Sequence, residues 1–275
     1  MKKILVSICL AVELLIIQPR ICYSEDPPPN TTLLGDRNGD MATSITAFGD
    51  SITFGVGDGY PVGAFFEELP VTVHAAGYPK RVGALLSIPV TNAGLPGEEL
   101  IYAGIYRIPT LANGTSDIIT ILEGANDAVV QGSRGTYSRA LQRSINVVSA
   151  QGKLPLIMTP MAPAGIHEAL GEFTNSYADA VRELAAVNNL PFVDLDRAWR
   201  STCRNKGECE LYNLPEGLHP NSKGYDVIAQ TIAATLLGID IFQPDGATQL
   251  EAALGAAPGT IIVEPDIAAP PAATK

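Results

Sequence analysis

Along the 275-residue chain, short runs of apolar and β-branched residues alternate with longer stretches in which apolar positions return every three or four residues. This alternation predicts a parallel sheet with helices on both faces, because each strand must be followed by a crossover that packs back onto the sheet. Five strands are expected: SITAFG (44–49), IPVTNA (88–93), DIITILEG (117–124), LPLIMTPM (154–161) and PFVDLD (191–196). The third is apolar at nearly every position, as a strand covered on both faces must be. Helices are expected near 78–87, 98–112, 136–151, 169–188 and 222–237.

The remaining segments fit neither period. Residues 58–77 read as a long surface loop beside the carboxyl end of the first strand, where loops build the ligand crevice of open α/β sheets. Tyr60, Phe65 and Phe66 would there form one wall of that crevice or pack on the sheet. Residues 25–43, rich in Pro, Asn and Asp, read as an exposed linker. Within it, DRNGD (36–40) is a turn rather than a calcium loop, since the glycine at loop position six and the acid at position twelve are missing. From residue 239 the chain becomes Ala/Pro-rich and is expected to be a loosely packed tail, with TIIVE (260–264) a candidate edge strand. One domain over 44–238 follows.

Charge and cysteine usage narrow the setting. With 18 basic against 29 acidic residues, net −11, the chain lacks the positive surface that nucleic acid or anionic lipid requires. Lys2 and Lys3, a mostly apolar stretch from Ile4 to Ile17, and small residues at Cys22 and Ser24 read as a signal peptide over 1–24. A stretch of fourteen residues, interrupted by Glu13, is too short to span about 30 Å of hydrocarbon, so export without stable membrane insertion is expected, with a retained anchor as the alternative. Cys203 and Cys209, with five residues between them, are then the only mature cysteines. In an oxidising compartment a disulfide is favoured over two thiols, and two cysteines in one loop do not make a zinc site. Asn30-Thr31-Thr32 and Asn113-Gly114-Thr115 are sugar-acceptor patterns.

Four short pieces fall at strand ends or before the last helix: GDS (49–51), NAGLPG (92–97), GAND (124–127) and EGLHPN (216–221). In this order they resemble the SGNH, or GDSL-type, serine hydrolase family over most of residues 44–237. The resemblance implies a flavodoxin-like three-layer α/β/α sandwich with a five-stranded parallel sheet, ester hydrolysis without metal or cofactor, and a small-molecule or glycan ester as substrate. The residues supply what acyl transfer needs. Ser51 would be the nucleophile, His219 the base that takes its proton, and Glu216 the acceptor that orients the imidazole from three residues upstream. By resemblance, the backbone N–H groups of Ser51 and Gly97 and the side-chain amide of Asn126 would form the oxyanion hole.

The family's acid is normally aspartate. Glu216 either fills that role from a shifted loop, or stands by while a backbone carbonyl orients His219. His74 and His167 read as surface residues, neither preceded by an acid at the same spacing. The expected bridge between Cys203 and Cys209 lies just upstream and would stiffen the segment presenting Glu216 and His219. A short acyl group is expected on the substrate. Acyl transfer to an alcohol, or a silent carbohydrate- or surface-binding module, would use the same scaffold.

Overall fold

The structure, a computed structural model, describes residues 32–58, 77–203 and 209–265. Five parallel strands form one sheet: β1 (Ile45–Gly49), β2 (Val90–Gly94), β3 (Ile118–Leu122), β4 (Leu154–Met158) and β5 (Phe192–Val193), in the order β2-β1-β3-β4-β5. The fold is the flavodoxin-like α/β/α sandwich that the resemblance implies, and its parallel sheet with helices on both faces is what the alternating pattern predicts. The central strands are buried on both faces, yet alternate residues still serve different layers, because strand side chains point to opposite sides with period two. Ile118 and Leu122 enter one core layer and Ile119 and Ile121 the other.

Helices α2 (Gly77–Leu86), α7 (Leu195–Thr202) and α8 (Ser222–Leu236) cover the first face. The second is covered by α3 (Ile105–Ala112), entered through a π-helical turn at Leu100–Gly104, and by α5 (Arg134–Ser149) and α6 (Gly171–Asn188). Two short helices, α1 (Ser51–Phe54) and α4 (Ala125–Val129), follow β1 and β3 directly. The chain passes from β1 outward to β2 and then crosses back to β3, so the strand order reverses between β1 and β3. A crevice opens at the carboxyl ends of strands at such a reversal.

Three expectations are corrected. The segment after 239 is not a loose tail over its described length: Gly246–Leu254 forms α9, and Ile241, Phe242, Leu250, Ile261 and Val263 are buried against α8 and its neighbours. Residues 260–264 are not an edge strand. The Gln230 side chain of α8 takes the place of a partner strand, its Nε2 donating to Thr260 O (3.0 Å) and its Oε1 accepting from Ile262 N (2.9 Å). At the other terminus, Leu33 and Leu34 pack on the same core and Leu33 N donates to Leu236 O (2.7 Å), so 32–34 are anchored rather than linker. Asp36 accepts from the N–H groups of Asn38, Gly39 and Met41, the turn expected for DRNGD. The signal-peptide reading, His74 and nearly all of the 58–77 loop lie outside the described residues.

Candidate active site

The crevice is built from the first residues after β1, β2 and β3 and from the loop before α8. After β1, Asp50 caps α1 by accepting from Ile52 N (2.8 Å), which sets Ser51 at the first helical position. The turn is tight because Gly49 has no Cβ: one placed there would lie 2.1 Å from Thr53 Oγ1 and 2.3 Å from Leu122 O. Ser51 Oγ stands 2.9 Å from His219 Nε2, and His219 Nδ1 stands 2.9 Å from Glu216 Oε1. An ionised carboxylate only accepts, so Nδ1 carries the ring proton and Nε2 is left to accept from the Ser51 hydroxyl.

Glu216 is held within its own loop. Its Oε2 accepts from Leu218 N and His219 N, each at 2.9 Å. Burial alone would raise its pKa, but hydrogen bonds from the His219 ring and from these two N–H groups outweigh burial and hold the carboxyl below its ordinary range. The extra methylene of glutamate lets one carboxylate fold back onto the i+2 and i+3 N–H groups while still meeting the ring at i+3. Cys203 and Cys209 are disulfide-bonded, and the Cys209 carbonyl accepts from Tyr212 N (3.3 Å) at the start of this loop.

The β2 and β3 segments converge on the same edge. Leu95 N donates to Gly49 O (2.9 Å), which brings the loop carrying Gly97 against the end of β1. Asn126 Nδ2 donates to Glu98 O (3.1 Å) and makes a longer contact with Asp50 Oδ2 (3.4 Å), so its amide lies between the Gly97 loop and the residue preceding Ser51.

Three supporting residues were not singled out in the linear pattern. Asp127 accepts from Leu100 N and Ile101 N, both at 3.0 Å, and fixes the turn that follows Gly97. Arg107 forms an ion pair with Glu98, donates to Ala93 O (2.6 Å) and Gly49 O (3.2 Å), and lies over the Phe48 ring, tying the ends of β1 and β2 together. His167, expected at the surface, is half-buried, with Nδ1 donating to Glu216 O (2.7 Å). Only the Asn-Asp pair in GAND hinted at any of these; the other two depend on which chain segments meet.

Beneath the crevice lie acidic groups in a different environment. Burial pushes Asp50 up to about 7 against the pull of the Ile52 N–H and of His219. Asp127 rises to about 6 for the same reason, opposed by its two N–H donors. Glu123, fully buried and without an N–H donor on its carboxyl, is raised well above its ordinary value by burial, then by the charges of Asp50, Glu98 and Asp127 and by a side-chain hydrogen bond with Glu98. No group of side chains suited to a metal ion occurs among the described residues.

A family model described as GDSL-like lipase/acylhydrolase matches residues 47–227, well over half of the chain. The chain belongs to this family. Solved structures of low identity share the fold. One is an acetylxylan esterase from Geobacillus stearothermophilus (TM-score 0.58, 20% identity, covering 70% of this chain and 94% of that one). Others are a lipase/acylhydrolase from Enterococcus faecalis (0.54, 26%, 69% and 93%) and an aryl esterase from M. smegmatis (0.55, 19%, 70% and 96%). No curated protein matches the chain. As a member of the GDSL-like family the protein is a carboxylic ester hydrolase.

Proposed function

We propose that the protein is an exported esterase that removes short acyl groups through an acyl-Ser51 intermediate. The observation that carries this reading is the unbroken line from Ser51 Oγ through both ring nitrogens of His219 to Glu216, with 2.9 Å at each junction. Ser51 Oγ attacks the ester carbonyl carbon as its proton passes to His219 Nε2. The oxyanion is met by the Ser51 and Gly97 N–H groups and by Asn126 Nδ2, whose longer contact, to Asp50, is the one it gives up. Collapse of this intermediate breaks the C–O bond, and the departing alcohol takes the proton from His219. Water, deprotonated by the same nitrogen, then attacks the acyl carbon and releases the carboxylic acid and free Ser51. Glu216 keeps the imidazole oriented and offsets its charge when protonated.

An acetylated carbohydrate is the substrate class this reading favours, on the likeness to an acetylxylan esterase. Export is supported by the residue 1–24 pattern and by the Cys203–Cys209 disulfide; no helix among the described residues is long and apolar enough to cross a membrane. Protein recovered outside the cell should begin near residue 25 by intact mass, and protein found only with the cells and retaining residue 1 would count against export. The test of function is hydrolysis of p-nitrophenyl acetate and of acetylated xylo-oligosaccharides by the wild type and by Ser51→Ala. The wild type should turn over and the variant should lose at least about 10⁴-fold in kcat. Equal rates would leave a binding role for the scaffold, and acyl ester products in the presence of an added alcohol would mark a transferase.

A further inference from the structure

Two peptide segments meet edge to edge behind the candidate acid. Residues 164–167, in the connection after β4, donate to three successive carbonyls of the loop before α8. Ala164 N reaches Gly217 O (2.8 Å), Ile166 N reaches Pro215 O (3.0 Å) and His167 Nδ1 reaches Glu216 O (2.7 Å). The approach is so close that a Cβ at Gly165 would lie 2.2 Å from Pro215 O, and one at Gly217 would lie 2.1 Å from Ala164 O. The outer two carbonyls are served by backbone N–H groups, which any non-proline residue provides. The central one, on Glu216 itself, is held by a side chain.

The peptide plane joining Glu216 to Gly217 is therefore pinned at both ends. Its N–H donates to Asn213 O (2.8 Å) and its carbonyl accepts from His167. Rotation of that plane would swing the Glu216 Cα and, through three side-chain torsions, the carboxylate that meets His219. A glutamate carboxylate stands one methylene farther from its backbone than an aspartate's, so a given backbone tilt displaces it more. The His167 ring does not take over the carboxylate, since Nδ1 lies 3.6 Å from Glu216 Oε1, outside hydrogen-bond range.

We propose that His167 is a positioning residue for the Ser51–His219–Glu216 line, acting on the backbone of the acid through its Nδ1–H donor. This rests on the triad reading given above. It is tested by comparing the wild type, His167→Ala, His167→Asn and Ser51→Ala on p-nitrophenyl acetate, with thermal melting of each. Asparagine places an N–H donor the same number of bonds from Cα as histidine Nδ1, so it keeps the hydrogen bond and discards the ring. His167→Ala should lower kcat about tenfold, the rate equivalent of one neutral hydrogen bond, with KM within about twofold and Tm within a few degrees of wild type. His167→Asn should recover most of that loss. In proton NMR, the low-field resonance of the His219 Nδ1–H should shift or broaden in His167→Ala and return in His167→Asn.

Full kcat in His167→Ala, or His167→Asn no better than alanine, would overturn the proposal. A loss of rate that tracks a loss of Tm across both variants would also overturn it, since that is what a purely structural residue gives. An inactive Ser51→Ala beside a fully active His167→Ala refutes only the role of His167. A fully active Ser51→Ala refutes the triad reading and this inference together.

Discussion

Two glutamates near the carboxyl edge of the sheet carry the same side chain to opposite ends. Glu216 is half-buried and accepts from the His219 ring, His219 N–H and Leu218 N–H; its carboxyl sits below the ordinary range despite the burial. Glu123, 1% exposed and without an N–H donor on its carboxyl, is raised well above it by burial, by the neighbouring charges of Asp50, Glu98 and Asp127, and by a side-chain hydrogen bond with Glu98. Burial pushes both the same way, so the donors decide the outcome. The first environment suits a carboxylate that must stay charged beside a histidine as it gains a proton. The second suits a neutral carboxylic acid in a protein interior.

The strongest way to break this contrast is to neutralise the charged member. Glu216→Gln should keep the loop's outline yet lower kcat/KM for p-nitrophenyl acetate by about 10³- to 10⁴-fold, because an amide neither fixes the tautomer nor offsets the imidazolium charge. A loss of only a few-fold would make Glu216 a bystander. The same substitution carries a signature in stability. Since the folded-state pKa of Glu216 is depressed, its contribution is present above the ordinary carboxylate pKa and is lost as pH falls through the depressed value. The stability gap between wild type and Glu216→Gln should therefore close in acid.

Asn126 adjoins the buried acidic group, its amide touching both Glu98 O of the Gly97 loop and Asp50. Asn126→Ala should cost about 10²- to 10³-fold in kcat with little change in KM, as expected for a donor that acts on the transition state. A KM effect alone would assign the amide to ground-state binding.

The smallest effect is expected from Glu123→Gln, and its sign is the informative part. A raised folded-state pKa means the native protein holds this proton more tightly than the unfolded chain. The stability it contributes in acid is lost as pH rises through the folded-state value. Replacing it by an uncharged side chain of similar shape should change Tm little at or below the ordinary carboxylate range and raise it progressively as pH climbs above that range, because unfolding then lets the wild-type carboxyl ionise. Parallel melting curves for the two proteins across that range would show that Glu123 does not titrate on unfolding.

Much of this arrangement was legible in the chain before its structure. The apolar runs at 44–49, 117–124 and 154–161 overlap β1, β3 and β4, because strands buried on both faces leave a local imprint. GDS, NAGLPG, GAND and EGLHPN marked the segments that meet at the crevice because tight turns and chemistry demand particular residue types in short order. What escaped was set by partners distant in sequence. Arg107 resembles any helical arginine until Glu98, Ala93 and Gly49 come around it. His167 resembles a surface histidine until the loop before α8 folds against it. The Ala/Pro-rich composition after 239 hid α9, whose Leu250 is buried by packing that composition does not report.

The most direct measurement is active-site titration with a p-nitrophenyl phosphate triester, followed by peptide mass mapping. The account predicts a burst of one p-nitrophenol per chain, a single phosphoryl adduct on Ser51, and no burst from Ser51→Ala or His219→Ala. A burst that persists in Ser51→Ala, or an adduct mapped to any other residue while ester turnover is lost, would contradict it.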